Sequence, residues 1–258
     1  MKHVGLVTVR TKSSRLKNKC LLNLDSKTKV IEHIILRCLG SGIIPIICTT
    51  KNKADQVLVK IANKFKIRFF RGSEKNKIKR WHDCCIFFKL NEFHTIDADD
   101  LYFDPLAVKK SLYLTKTSSV DLVHPSTTSR IGGASEGYTF TKRGIKKLYN
   151  SLIKYKFSKI DTLDTEMIDS FIKEADLKET KLIGQNYEIK KNIRLTLDYK
   201  EDFKLFKIIF KKFGIYEERK KINFFLKKNK HLLKINFFKN KFWDIKQKKF
   251  QTALKKND

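Results

Sequence analysis

Apolar residues along the chain switch between two spacings. Val4, Leu6, Val7 and Val9 form a short run of the kind a buried strand carries. Val30, Ile31, Ile34, Ile35, Cys38 and Leu39 then recur at helical intervals. The same alternation continues downstream. Residues 43–48 read as a second strand, Val57, Leu58, Ile61 and Ala62 set a helix over 54–65, and 67–70 read as a third short strand. A helix over 78–90 follows, and Phe93, Thr95 and Ile96 make the next strand. A strand, helix, strand unit closes as a right-handed parallel crossover, so the pattern predicts a doubly wound sheet.

Further along, the pattern predicts strands at 120–124 and 138–141 and amphipathic helices over 144–155 and 163–172. Ile193, Leu195 and Leu197 alternate with Arg194 and Thr196, the signature of a half-buried strand, and Glu201 and Asp202 open a helix running to Phe213. Their place in the first turn suits the positive end of the helix dipole.

Composition changes this picture in two places. The chain has 258 residues, 41% of them hydrophobic, enough for one sizeable α/β domain with or without a small appendage. Residues 1–215 carry the alternation. Residues 216–258 are Lys-rich with Phe224, Phe225, Phe237, Phe238, Phe242 and Trp243 interleaved, an extension expected to pack on the domain. The formal net charge is +30. Lysines are spread over nearly every segment and no nucleic-acid-binding module accompanies them, so the excess reads as solvated faces and not as a specific nucleic-acid site. A basic protein binding nucleic acid or an anionic membrane surface remains the alternative class. The five cysteines have no metal-ligand spacing and lie among apolar residues, which predicts buried, reduced thiols. No leader or membrane-spanning run is evident, which predicts a cytoplasmic protein.

Candidate chemistry sits where strands end. Directly after the first strand come Arg10, Lys12, Arg15, Lys17 and Lys19, interleaved with Ser13 and Ser14. Cations outside the carboxyl end of a strand suit a polyphosphate, because fixed positive charge stabilises both the bound nucleotide and the charge that develops in phosphoryl transfer. A solvated basic turn is the plain alternative. The strand at 93–96 likewise runs into Asp97, Asp99 and Asp100, with Asp104 and Pro105 opening a helix. Clustered carboxylates repel one another unless a cation is present, and a hard oxygen site suits Mg²⁺. Asp104 reads as an N-cap with Pro105 at the first helical position.

Residues 7–19, VTVRTKSSRLKNK, resemble the amino-terminal signature ARxGSxRLPGK of the cytidylyltransferases that make CMP-activated sugars: the CMP-Kdo and CMP-acylneuraminate synthetases and their spore-coat polysaccharide relatives. Arg10, Ser13, Arg15, Leu16 and Lys19 match; Lys12, Lys17 and Asn18 stand where the family has Gly, Pro and Gly. Arg71, Gly72, Ser73 and Glu74 are similar to the RGS(E) turn of the spore-coat relatives, a region that lies near the nucleotide in the family; Arg71 and Arg80 could equally be plain exposed residues. FHTIDADDLYFDP parallels TGDDPLIDP, with Asp97 as an extra acid, and NIRLTLDYKEDF parallels RLTVDTPEDLE.

This resemblance implies a Rossmann-like α/β fold with a doubly wound mixed sheet of the nucleotide-diphospho-sugar transferase type, and an enzyme that transfers CMP from CTP to an anionic acceptor with release of pyrophosphate. An acidic sugar destined for a cell-surface glycan is the leading acceptor. The resemblance implies that Arg10, Arg15 and Lys19 are catalytic and that Val9, Arg10, Ser13, Arg15, Lys19, Thr49, Arg71 and Ser73 bind the nucleotide. It further implies that Asp99 and Asp198 hold Mg²⁺, that Arg130 and Glu136 in the Gly-rich middle contact the acceptor, and that the chain can form a homodimer. A homologue that binds nucleotide without turning it over is the other reading of the altered loop.

Overall fold

The computed structural model describes residues 3–126, 137–154, 160, 163–166, 168–183, 193–242 and 245. Strands β1 (His3–Thr8), β2 (Ile43–Thr50), β3 (Arg68–Gly72), β4 (Glu92–Asp97), β5 (Leu122–His124), β6 (Thr139–Thr141) and β7 (Glu179–Lys181) form one sheet in the order β3-β2-β1-β4-β6-β5-β7. β3, β2, β1 and β4 are parallel; β6 runs antiparallel to both β4 and β5. The sheet is therefore mixed, and its strand order reverses at β1. Thr8 pairs with Asp97, so the carboxyl ends of β1 and β4 lie side by side at the reversal. That crevice is where an open α/β sheet takes its ligand.

Helices α1 (Val30–Gly40) and α2 (Gln56–Lys64) cover one face and α3 (Lys77–Phe87) and α5 (Lys142–Lys154) the other; α4 (Pro105–Thr117) packs near β4 and β6. The apolar spacing read from the sequence accounts for this: Val30, Ile31, Ile34, Ile35 and Cys38 are all fully buried against β1 and β2. The remaining helices are α6 (Ile168–Ile172), α7 (Lys200–Phe213), α8 (Arg219–Lys228) and α9 (Lys230–Leu233). Ile222 and Leu226 of α8 join the core under α1 and α7. All five cysteines are buried and unpaired. No helix among the described residues is long and apolar enough to cross a membrane.

Two expected elements differ. Residues 193–198 form no strand and join no ladder of the described sheet, and Arg194 is buried, not solvent-facing. Leu197 N–H instead bonds Asp99 O at 2.9 Å, and the Arg194 guanidinium serves as counter-ion to two buried carboxylates. The helix expected over 163–172 is confined to Ile168–Ile172. Thr165, outside it, spends its hydroxyl on the first N–H groups of α3, accepting from Lys77 at 2.7 Å and Ile78 at 3.2 Å.

One core residue sets a pH limit on stability. His33 of α1 is fully buried, meets Leu101 O at 3.0 Å through Nε2, and packs edge-on to Tyr102 and Phe210. Burial, with the nearby Arg37 charge adding to it, lowers its pKa from 6.5 to about 3. The folded state thus disfavours the protonated form. This contribution is complete above pH ~6.5 and is lost as the pH falls toward the folded value, at ~1.4 kcal/mol per unit. Urea unfolding at pH 7 and pH 5 should show a lower midpoint at pH 5, and His33→Phe should flatten that difference; an equally steep loss in the variant would acquit His33.

Candidate active site

β1 ends at Thr8, and the chain leaves the sheet carrying Arg10, Lys12, Arg15 and Lys19 across the crevice. Asn18 adopts φ 53°, ψ 31°, the left-handed conformation that glycine takes freely and asparagine tolerates best among side-chain-bearing residues. The Gly-to-Asn departure from the family pattern therefore keeps the backbone bend that delivers Lys19. Lys12 reaches sideways to Glu74 at 3.2 Å.

Lys19 Nζ lies 2.6 Å from Asp99 Oδ2 and 2.9 Å from Asp198 Oδ1, and Arg15 Nη2 lies 2.5 Å from the same Asp198 oxygen. Arg194 Nη2 takes the other oxygen at 2.9 Å, while its Nε donates to Asp202 at 2.9 Å. Asp202 in turn caps α7 by accepting from the backbone N–H of Asp198 and Tyr199, the first-turn role its position suggested. Burial opposes ionisation of Asp198, but Lys19 and Arg15 outweigh it and hold the carboxyl at about 2. Burial likewise opposes the charge on Lys19, and Asp99 and Asp198 overcome it, raising its pKa.

Carboxylate oxygens of Asp97, Asp99 and Asp100 all lie within 4.8 Å of one another. Asp100 is buried, and that burial, reinforced by Asp99 and Asp97, pushes its pKa well above the usual range; Asp97 is raised for the same reasons despite Lys77 at 2.9 Å. Crowded hard oxygens that resist joint ionisation are a donor set that fits a divalent cation. Asp99 is the member that also touches Lys19. Asp198 faces it across the ammonium, with its oxygens already held by Lys19, Arg15 and Arg194.

A cleft of about 380 Å³ opens over these groups. Val9, Arg10, Ser13, Arg15, Lys19 and Asp99 line it, as the sequence suggested. Thr49 is fully buried and does not, and neither does Asp198, which is buried with its oxygens taken by Lys19, Arg15 and Arg194. Arg71 turns away to Thr50 O, Asn52 O and Gln56, and Ser73 Oγ accepts from Asn76 N–H; neither lines the cleft. Arg130 and Glu136 lie outside the described residues. The wall instead includes Lys77, Arg80, Asp97, Asp164 and Glu166. Of these the sequence singled out Asp97, as an additional acid, and Arg80, with a plain exposed residue as its other reading. Arg80 is buried, not exposed, and a Cβ on Gly72 would come within 2.8 Å of its Cγ, so the glycine of the RGS turn is what admits the arginine stem. Glu166 crosses the cleft mouth to Arg10 Nη2 at 2.6 Å.

Sequence comparison bears on this arrangement. A family model described as cytidylyltransferase matches residues 4–100, the segment holding both strand ends of the cleft. Over 242 residues the chain is 32% identical to an uncharacterized protein of Methanocaldococcus jannaschii, covering 92% of this chain and 95% of that one. The chain belongs to the cytidylyltransferase family. This cytidylyltransferase is thus a nucleotidyltransferase. Its fold is similar to that of a cytidylyltransferase from Leptospira borgpetersenii serovar Hardjo-bovis (TM-score 0.72, 19% identity, 90% of this chain and 97% of that one). It is also similar to CMP:2-keto-3-deoxy-manno-octonic acid synthetase, solved with CTP (TM-score 0.57, 12% identity, 82% and 99%).

Proposed function

We propose that this cytidylyltransferase transfers CMP from CTP to an oxygen of an anionic acceptor, an acidic sugar being the leading candidate, and releases pyrophosphate for glycan assembly. The observation that carries this reading is that Lys19 and Arg15, which line the cleft with Asp99, converge on Asp99 and on the buried Asp198, groups separated by 80 and 183 residues in the chain. Fold similarity to a synthetase solved with CTP supports the choice of nucleotide.

In this reading the acceptor oxygen attacks the α-phosphorus, a new P–O bond forms, and the bond to the bridging oxygen breaks with its electron pair leaving on pyrophosphate. Arg15 and Lys19 bind the triphosphate and offset the charge that grows on the departing group. Arg10 joins them once it exchanges Glu166 for phosphate oxygen. Val9 and Ser13 shape the floor beside β1, and Leu197, by bonding Asp99 O, fixes the distance between the two acid-bearing segments. Mg²⁺, held by Asp99 and by the Asp198 oxygen that Lys19 and Arg15 give up when they turn to the triphosphate, would supply Lewis-acid polarisation of the α-phosphate. Arg194 and Asp202 touch no substrate; they hold Asp198 in place.

Thermal unfolding with CTP, ATP, GTP and UTP, each with and without Mg²⁺, tests the nucleotide. A ligand at about a hundred times its dissociation constant adds ~2.7 kcal/mol to folded-state stability. CTP with Mg²⁺ should raise the midpoint above the other three. Equal shifts for all four would remove the cytosine assignment, and no shift with any would leave a homologue that has lost nucleotide binding.

A further inference from the structure

The cleft has a second cationic wall that the triphosphate reading does not use. Arg80, on the first turns of α3, is 3% exposed and lines the cleft. Its Nη1 donates to Ser73 O at 2.8 Å, while its Nε–H is buried with no acceptor among the described residues. Removing a guanidinium from water without partners is costly, and the fold shows the usual remedy elsewhere: Arg37, equally buried, gives its donors to Phe103 O, Ile215 O and Glu217 O. Arg80 lacks that compensation. One turn earlier, Lys77 places its ammonium in the same wall, 2.9 Å from Asp97. The leading N–H groups of α3 are taken by Thr165 and Asn76, so this wall offers side-chain charge and not a bare helix end.

A carboxylate of the chain itself lines the same cleft. Glu166 bonds Arg10 yet keeps about half of its side chain exposed. Burial works against its ionisation, and the charges of Lys77, Arg10 and Arg80 overcome that and lower its pKa. We propose that Arg80 and Lys77 form a second anion subsite, which holds the carboxylate or phosphate group of the acceptor while Arg15 and Lys19 hold the triphosphate, and that Glu166 occupies it until the acceptor displaces it. This assignment rests on the CMP-transfer reading and deepens it: the acceptor's charge is recognised by α3, apart from the loop that follows β1. Displacement of Glu166 also frees Arg10, so acceptor binding and Arg10 engagement are coupled through one ion pair.

The test uses the full chain and isothermal titration at fixed ionic strength. CTP with Mg²⁺ is titrated first; inorganic phosphate and, separately, acetate are then titrated into the CTP-loaded protein. At least one anion should give a saturable single-site isotherm, phosphate alone indicating a phosphate-bearing acceptor and acetate alone a carboxylate. Arg80→Gln and Lys77→Gln should each weaken that binding at least tenfold. Glu166→Gln, a change at a half-exposed side chain that leaves the core intact, should tighten it severalfold by removing the competitor, an effect a merely structural Glu166 would not produce. Retained CTP binding certifies that each variant is folded, and should Arg80→Gln not fold, the opposite effects of Lys77→Gln and Glu166→Gln still decide. A wild-type protein that binds CTP but neither anion, or variants with unchanged anion affinity, would overturn the subsite alone. A wild-type protein that does not bind CTP would overturn the transfer reading itself.

Discussion

Lys19→Ala should reduce pyrophosphate release from CTP by 10²- to 10³-fold while the protein remains folded. The ammonium stands between Asp99 and Asp198, at 2.6 and 2.9 Å, and it is the cation best placed to follow the charge that moves onto pyrophosphate. Losing one such preorganised group typically costs about 2.7–4 kcal/mol of transition-state stabilisation. The fold should survive because Asp198 keeps Arg15 at 2.5 Å and Arg194 at 2.9 Å. Release is followed with CTP, Mg²⁺ and a panel of acidic sugars and polyol phosphates, with the melting temperature recorded alongside. Turnover within a few-fold of wild type would exclude Lys19 from the chemistry; lost turnover together with a collapsed melting temperature would reassign it to stability.

Arg194→Met should act in the opposite manner, chiefly on stability. Arg194 is almost wholly buried between Asp198 and Asp202, both equally inaccessible, and Asn236 Nδ2 closes the network at 2.8 Å from Asp202. Methionine fills much of the same volume but leaves the two carboxylates short of a counter-charge, and breaking a buried ion pair from one side typically costs about 3–5 kcal/mol. For a chain of this size that is a drop on the order of 10 °C in melting temperature. Adding Asp202→Asn to Arg194→Met should recover part of the loss, because the neutral amide no longer needs the cation; strictly additive losses would show that the two side chains are not coupled. Activity should fall less than in Lys19→Ala, since Asp198 retains Lys19 and Arg15.

The two predictions separate groups proposed to bind the nucleotide from groups that hold those groups in place. A similar division explains the arginines. Arg71 and Arg80 flank one turn and carry equal chemistry, yet Arg71 is spent on the carbonyls of Thr50 and Asn52 while Arg80 lines the cleft. Nothing in their spacing distinguishes them. The direction of α3 against the sheet does, and Gly72 leaves the space for it.

Sequence by itself determined the local elements and the charge that each strand end would present. Hydrophobic period fixes strand or helix because it is a property of neighbouring residues, and the loops after β1 and β4 announce themselves because cations or acids follow an apolar run without interruption. In the sequence Asn18 stands only as a departure from the family's Gly; the structure shows that it keeps the left-handed bend, at φ 53°. Only tertiary structure decided the pairings. Lys19 meets Asp198 across 179 residues and Arg10 meets Glu166 across 156, distances at which no periodicity carries information. The same holds for residues 193–198, whose alternation promised a half-exposed strand. Their polar positions were instead turned inward, because two buried carboxylates at the head of α7 required a counter-ion and Arg194 was the residue in reach.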